Sequence, residues 1–316
     1  MLPNRPSPFT KVGVACSSSN DTNDTPGWFQ HAVGETPERF ALNVQGCSIQ
    51  AFAWGDVAHP TIVLVHGGAA HAGWWSFVAP LLSKQYRVVA VDLSGHGDSE
   101  WRDRYTFDLW VDEAMAAAEN AGGPGSPVIA GHSMGGVVAM WAVARRSADL
   151  TGAIIIDAPA TTRDPETVEG LEGSLFRKPK SYPTLEAAVE HFHLVPDQPQ
   201  GAPWLIDHVA RSSLRRGDGG WTWKFDPRVF VERDAIDPEV IVEGFGRAAC
   251  PVAALVGARS TVVDEHARQD LDALLRLASG PGVMVEIPEA YHHIMFDRPL
   301  ELVTSLRTLL SVWHNA

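Results

Sequence analysis

The residue best placed to do chemistry is Ser133. It lies at the centre of Gly131-His-Ser-Met-Gly135, within the stretch PVIAGHSMGG at residues 127–136. An apolar run precedes it and a helical run of small residues follows. A sharp strand-to-helix turn at this point forces the serine into a strained backbone conformation. Glycines two residues to either side leave room for that turn and for helix packing. The Oγ of Ser133 then stands exposed above a helix N-terminus, and the N–H of Met134 can face a charge developing on an attacked carbonyl. A second donor is expected from the loop His66-Gly-Gly-Ala-Ala-His-Ala-Gly-Trp-Trp75, where glycines let the backbone approach a ligand. The N–H of Gly68 is the best candidate. Nucleophilic attack by a serine further requires a general base.

These residues need a scaffold. Short apolar runs at 61–66 (TIVLVH), 87–93 (RVVAVDL), 127–130 (PVIA), 152–157 (GAIIID), 252–257 (VAALVG) and 282–288 (GVMVEIP) do not alternate with polar residues. That pattern suits strands covered on both faces of a parallel sheet. Residues 40–44 and 48–54, joined by Gln45-Gly46-Cys47, read as an antiparallel hairpin at the sheet edge. Helical stretches are expected at 110–121, 134–146, 264–277 and 300–313. Alternating strands and helices imply an α/β protein with a doubly wound, mostly parallel sheet. The alternation breaks between about 158 and 239, a region rich in Pro, Gly and charge, with helical pieces near 184–192 and 204–214. The expected organisation is a flexible extension at 1–30, a core formed by 31–157 and 240–316, and an inserted helical cap at 158–239.

Composition narrows the classes. The 316 residues are 45% hydrophobic and 20% charged, with a net charge of -13. Such an acidic chain repels nucleic acid and anionic membranes. The three cysteines, Cys16, Cys47 and Cys250, show no paired spacing, so neither a disulfide framework nor a zinc site is expected. Neither a metal nor a cofactor is called for. The N-terminal stretch lacks the apolar core of a signal peptide, and no run approaches the length of a membrane span. The expected location is the cytoplasm, and a homodimer is left open.

With VHGGAAHAGWW (65–75), DLSGHGDS (92–99), GHSMGG (131–136) and YHHIMFDRP (291–299) in order, the chain resembles the α/β-hydrolase family across residues 36–316. The resemblance implies a triad of serine, histidine and acid, with a cap after the sixth strand. Counting back from Pro299 places the base at His292, with His293 as the alternative; Tyr291 stands where relatives often have glycine. Many relatives carry the acid in the loop after strand seven, but Gly257-Ala-Arg-Ser-Thr261 has none. Asp264 follows, at a position that also suits a helix N-cap. Some relatives instead place the acid at the end of strand six, which here is Asp157. Asp157 is the preferred acid, Asp264 the alternative, and Asp92 a structural residue.

The cap supplies Phe192, Trp204, Trp221, Trp223 and Phe225, with GGWTWKF at 219–225 the densest piece. Trp204, Trp221, Trp223 and Phe225 are the candidate substrate-binding residues, on an aromatic wall suited to a substrate with an apolar part. The leading expectation is a serine esterase acting on a small ester or lactone. Carbon–carbon or amide hydrolysis, acyl transfer and perhydrolysis use the same triad. A ligand-binding or signalling member of the fold, with little turnover, is the alternative of a different class.

Overall fold

The computed structural model describes residues 25–160, 180–199, 201–231, 233–234, 237–280 and 282–314. Eight strands form one sheet: β1 (Glu38–Val44), β2 (Cys47–Trp54), β3 (Thr61–Val65), β4 (Arg87–Val91), β5 (Val128–His132), β6 (Gly152–Ile156), β9 (Val252–Gly257) and β10 (Val283–Ile287). Their order is β1-β2-β4-β3-β5-β6-β9-β10. The β1–β2 hairpin is antiparallel and β2 runs antiparallel to β4, whereas every pairing from β4 to β10 is parallel.

The apolar runs are continuous because both sheet faces are covered. All residues of β3, β4, β5, β6 and β9 are buried. Along β3, Val63 and Val65 join one apolar layer, beneath the helices Phe107–Ala121, Met134–Arg146 and Glu265–Leu277. Ile62 and Leu64 join the opposite layer, with the helix Pro299–His314. The period of two along a strand divides the core into these layers. The terminal strand β10 departs from the expected double coverage, because at the sheet edge Val283 and Glu286 are exposed.

The parallel arrangement aims the ends of β3, β5, β6 and β9 the same way. Backbone register pairs His132 with Ile156, and Ile156 with Leu255. The residues following β5 and β6 are therefore neighbours, and the loop after β9 lies beside them. This is the edge where a doubly wound sheet collects its functional loops.

Two organisational expectations change. A helix, Gly27–Gly34, crosses the boundary placed at residue 30, and it buries Phe29 in the second apolar layer. The rest of the expected extension, with Cys16, lies outside the described residues. The insertion after β6 is not purely helical: besides the helices Leu185–Val189 and Pro203–Ser212 it contains an antiparallel hairpin, β7 (Leu214–Gly217) with β8 (Gly220–Trp223). The alternation of Trp221, Trp223 and Phe225 with polar residues suits an extended segment, but β7 (LRRG) has one buried residue and no apolar run to mark it as the partner strand. Residues 161–179 of the expected cap lie outside the described residues. The core resumes at the helix Pro238–Phe245, where a Cβ on Gly244 would fall 2.3 Å from the Ala144 backbone, so the two helices pack almost backbone to backbone.

Candidate active site

The Ser133 backbone is held where few side chains go, at φ 54° and ψ −120°. The surroundings over-determine that conformation. Its N–H donates to the Ile156 carbonyl at 3.0 Å, and its own carbonyl accepts from Gly136 and Val137. A Cβ on Gly131 would lie 1.8 Å from the Gly135 carbonyl oxygen, and one on Gly135 would lie 2.4 Å from that of Val65. The two glycines are therefore a packing requirement, and together they let the strand turn directly into the helix.

His292 follows β10 and is 3% exposed. Its Nε2 lies 3.0 Å from Ser133 Oγ, and its Nδ1 lies 2.7 Å from Asp157 Oδ2. A carboxylate only accepts, so the ring proton belongs on Nδ1 and the Nε2 lone pair faces the serine hydroxyl. The histidine backbone is braced as well. His132 Nε2–H donates to the His292 carbonyl at 2.9 Å. Burial holds His132 well below the usual histidine range, so it serves as a neutral donor. His293, the alternative base, is engaged elsewhere: its N–H and Nδ1 both meet Gln198 Oε1, at 3.0 and 2.9 Å. Gln198 also donates to Asp297, which accepts the Tyr291 N–H at 2.8 Å.

Asp157 is fully buried at the end of β6, with a left-handed φ of 46°. Its Oδ1 accepts the Gly257 N–H at 2.8 Å, and its Oδ2 accepts the Ser260 hydroxyl at 2.6 Å. The other candidate acid is occupied differently. Asp264 caps the helix Glu265–Leu277 by accepting the Ala267 N–H at 3.0 Å. Asp92 accepts N–H groups from Ala72 and Asp98 at 2.7 and 2.8 Å, tying the loop after β3 to the turn after β4. Burial raises its pKa to about 6.

The two expected oxyanion donors flank the serine. Met134 is the first residue of its helix, where an N–H has no carbonyl one turn back to satisfy it. The loop holding Gly68 passes beside Ser133, since a Cβ on the preceding Gly67 would sit 3.3 Å from the Ser133 Cβ. A Cβ on Gly68 would meet Phe230 at 3.0 Å and Met134 Sδ at 3.9 Å.

The aromatic residues divide. Trp223 packs on Phe192 at 5.8 Å, Phe192 on Trp74 at 6.2 Å, and Trp74 on His293 at 5.9 Å between ring centroids. This chain of rings runs from the insertion to the neighbour of His292. Phe225 is buried and meets Phe230 edge-on at 6.3 Å. Trp221 pairs through its backbone with Tyr182. Trp204 departs from the expectation: it packs on Phe29 at 4.4 Å and Trp28 at 6.0 Å, within the contact to the N-terminal helix. Trp74 and Phe230 are not singled out by the sequence. Trp74 lies within VHGGAAHAGWW, and its Nε1–H donates to Ser213 Oγ at 3.1 Å, but nothing local marks Phe230.

The family model described as "Alpha/beta hydrolase family" matches residues 62–305, and the chain belongs to that family. The esterase Rv0045c of Mycobacterium tuberculosis is 26% identical over 284 residues, covering 88% of this chain and 90% of the esterase. The pimeloyl-[acyl-carrier protein] methyl ester esterase of Chromobacterium violaceum is 27% identical over 257 residues, covering 78% of this chain and 92% of that enzyme. A solved structure of the M. tuberculosis esterase Rv0045c superposes with a TM-score of 0.69 at 23% identity, covering 90% of this chain and 96% of that one.

Proposed function

We propose that the protein is a serine hydrolase that cleaves carboxylic esters or lactones through an acyl-enzyme on Ser133. The observation that carries this reading is the continuous line from Ser133 Oγ to His292 Nε2 at 3.0 Å and from His292 Nδ1 to Asp157 Oδ2 at 2.7 Å. The two relatives, both named as esterases, support it.

In this mechanism Ser133 Oγ attacks the ester carbonyl while His292 Nε2 takes the hydroxyl proton. The carbonyl oxygen becomes an oxyanion facing the N–H groups of Met134 and Gly68. Asp157 holds the imidazole in the Nδ1–H tautomer and stabilises its charged form. The tetrahedral intermediate collapses, the carbon–oxygen bond to the alcohol breaks, and Nε2 returns the proton to the leaving oxygen. Water then enters and gives its proton to His292. The resulting hydroxide attacks the acyl carbon, the bond from that carbon to Ser133 Oγ breaks as His292 Nε2 returns the proton to Oγ, and the carboxylic acid leaves with the serine restored. The rings of Trp74, Phe192, Trp223 and Phe230 favour a substrate with an apolar part.

The test is hydrolysis of p-nitrophenyl butyrate, with fluorophosphonate labelling read by peptide mass. Turnover abolished by Ser133→Ala, with the label on Ser133, is the expected result. Full activity in that variant would sink the proposal. A panel of esters, lactones and amides separates ester cleavage from amide hydrolysis, and acceptor alcohols reveal acyl transfer.

A further inference from the structure

We propose that Ser260 is a positioning residue that acts on the reaction through Asp157. The proposal rests on reading Ser133, His292 and Asp157 as the catalytic triad. Asp157 still donates its N–H to the Leu255 carbonyl of β9 at 2.8 Å, but its φ of 46° ends the extended geometry of β6 at this residue. Strand register therefore does not set the direction of its carboxylate. The turn after β9 does. That turn is closed by the Ser260 N–H donating to the Gly257 carbonyl at 3.0 Å. From its two ends, Gly257 N–H grips Oδ1 at 2.8 Å and Ser260 Oγ grips Oδ2 at 2.6 Å. One donor on each oxygen fixes rotation of the carboxylate about its own bond.

The hydroxyl has no freedom to do otherwise. A serine oxygen offers one proton and two lone pairs. Ser260 Oγ accepts the N–H groups of Val262 and Val263 at 3.2 and 3.1 Å. Its proton is thereby directed at Asp157 Oδ2, the same oxygen that faces His292 Nδ1 at 2.7 Å. A fully buried carboxylate needs such donors, because no water replaces them. Residue 260 cannot supply a charge. It supplies the hydrogen bond that orients the charge carried by the neighbouring strand.

The experiment measures p-nitrophenyl butyrate hydrolysis by Ser260→Ala and Ser260→Thr, each in the full chain and again in an Asp157→Asn background. For Ser260→Ala, kcat is expected to fall about tenfold, the scale of one hydrogen bond to a charged group, with KM nearly unchanged. Ser260→Thr keeps the hydroxyl and is expected to stay within about threefold of the parent. In the Asp157→Asn background the alanine effect is expected to shrink below about twofold, as for residues that act through one another. Three results would overturn the proposal: unchanged kcat in Ser260→Ala, a threonine variant as impaired as alanine, or an alanine effect that persists in full without the carboxylate. The last result would show that Ser260 only braces the turn for Val262 and Val263. Loss of turnover in Ser133→Ala is measured alongside. If that variant stays active, the triad reading itself has failed; if it is dead while Ser260→Ala is normal, only the role of Ser260 has.

Discussion

The ends of the central strands and the inserted segment both surround Ser133, yet they are built by different physics. At the strand ends, position is enforced by exclusion: Gly131 and Gly135 have no space for a Cβ, and β5 and β6 are buried along their whole length. The insertion buries Leu194, Leu205, Val209 and Val229 in the apolar layers, and its margins are attached by directional polar contacts. Lys224 O accepts the Gly97 N–H and Gly95 O accepts the Asp226 N–H, both at 2.7 Å, while Lys224 Nζ pairs with Asp98 at 2.9 Å. Tyr105 donates to Asp226 at 2.7 Å, and Gln198 reaches the loop of His293. Close packing tolerates little change, whereas loop-to-loop hydrogen bonds can be re-formed around a different surface. The difference teaches where to look for reaction and for selectivity. Changes at the strand ends should alter whether bonds break, and changes in the insertion should alter which substrate is taken.

The largest effect should come from the core side of this division. Ser133→Ala should lower kcat by about a thousandfold or more with the fold retained, checked by ester turnover and circular dichroism. Asp157→Asn should follow, with kcat reduced roughly a hundredfold or more while KM moves little. An equal loss in Asp264→Asn would break the assignment of the acid.

Asp92 should sharpen the picture through stability. Its native pKa of about 6 lies above the ordinary 3.8 because of burial. Between these values the native state binds a proton that the unfolded chain has already lost. Stability from this group is therefore full below about pH 4 and is lost as pH rises through about 6, by on the order of 3 kcal/mol. Thermal melting of Asp92→Asn across that window should lack this component.

On the insertion side, Phe230→Ala should change selectivity more than competence. Against a series of p-nitrophenyl esters, the ratio of kcat/KM between long and short acyl chains should rise by about tenfold. A uniform loss across the series would contradict the division of labour. The smallest effect is expected for Asp264→Asn, with kcat near the parent and a stability loss below about 1 kcal/mol, since Asn also caps helices.

Legibility follows the same boundary. The elbow at Ser133 is readable because its requirements are local: a buried strand, a serine and two glycines within five residues. Six strands of the core are readable as continuous apolar runs because double coverage is expected of them, and of these six the edge strand β10 departs from that rule. The β7–β8 hairpin and the packing of Trp204 on Phe29 were not readable. Trp221, Trp223 and Phe225 alternate as an extended segment, but the partner strand LRRG carries no apolar run, and the Trp204 contact joins segments far apart in the chain. Phe230 reaches the Gly68 loop by a similarly long connection.

Sequence by itself determined the fold class, the sharp strand-to-helix turn at Ser133 and a short set of histidines and acids. These depend on residue type and on spacing along one segment. Which acid faces the imidazole was a tertiary decision. Asp157 and Asp264 both follow a core strand closely enough to compete for that place. The β5-β6-β9 order sets Asp157 beside His292, while Asp264 opens a helix and spends its carboxylate on the Ala267 N–H. The direction of the Asp157 carboxylate was decided the same way, by Gly257 at the end of the adjacent strand and Ser260 in the turn after it. Hydrogen bonds between groups a hundred residues apart in the chain exist only once the sheet has brought them together.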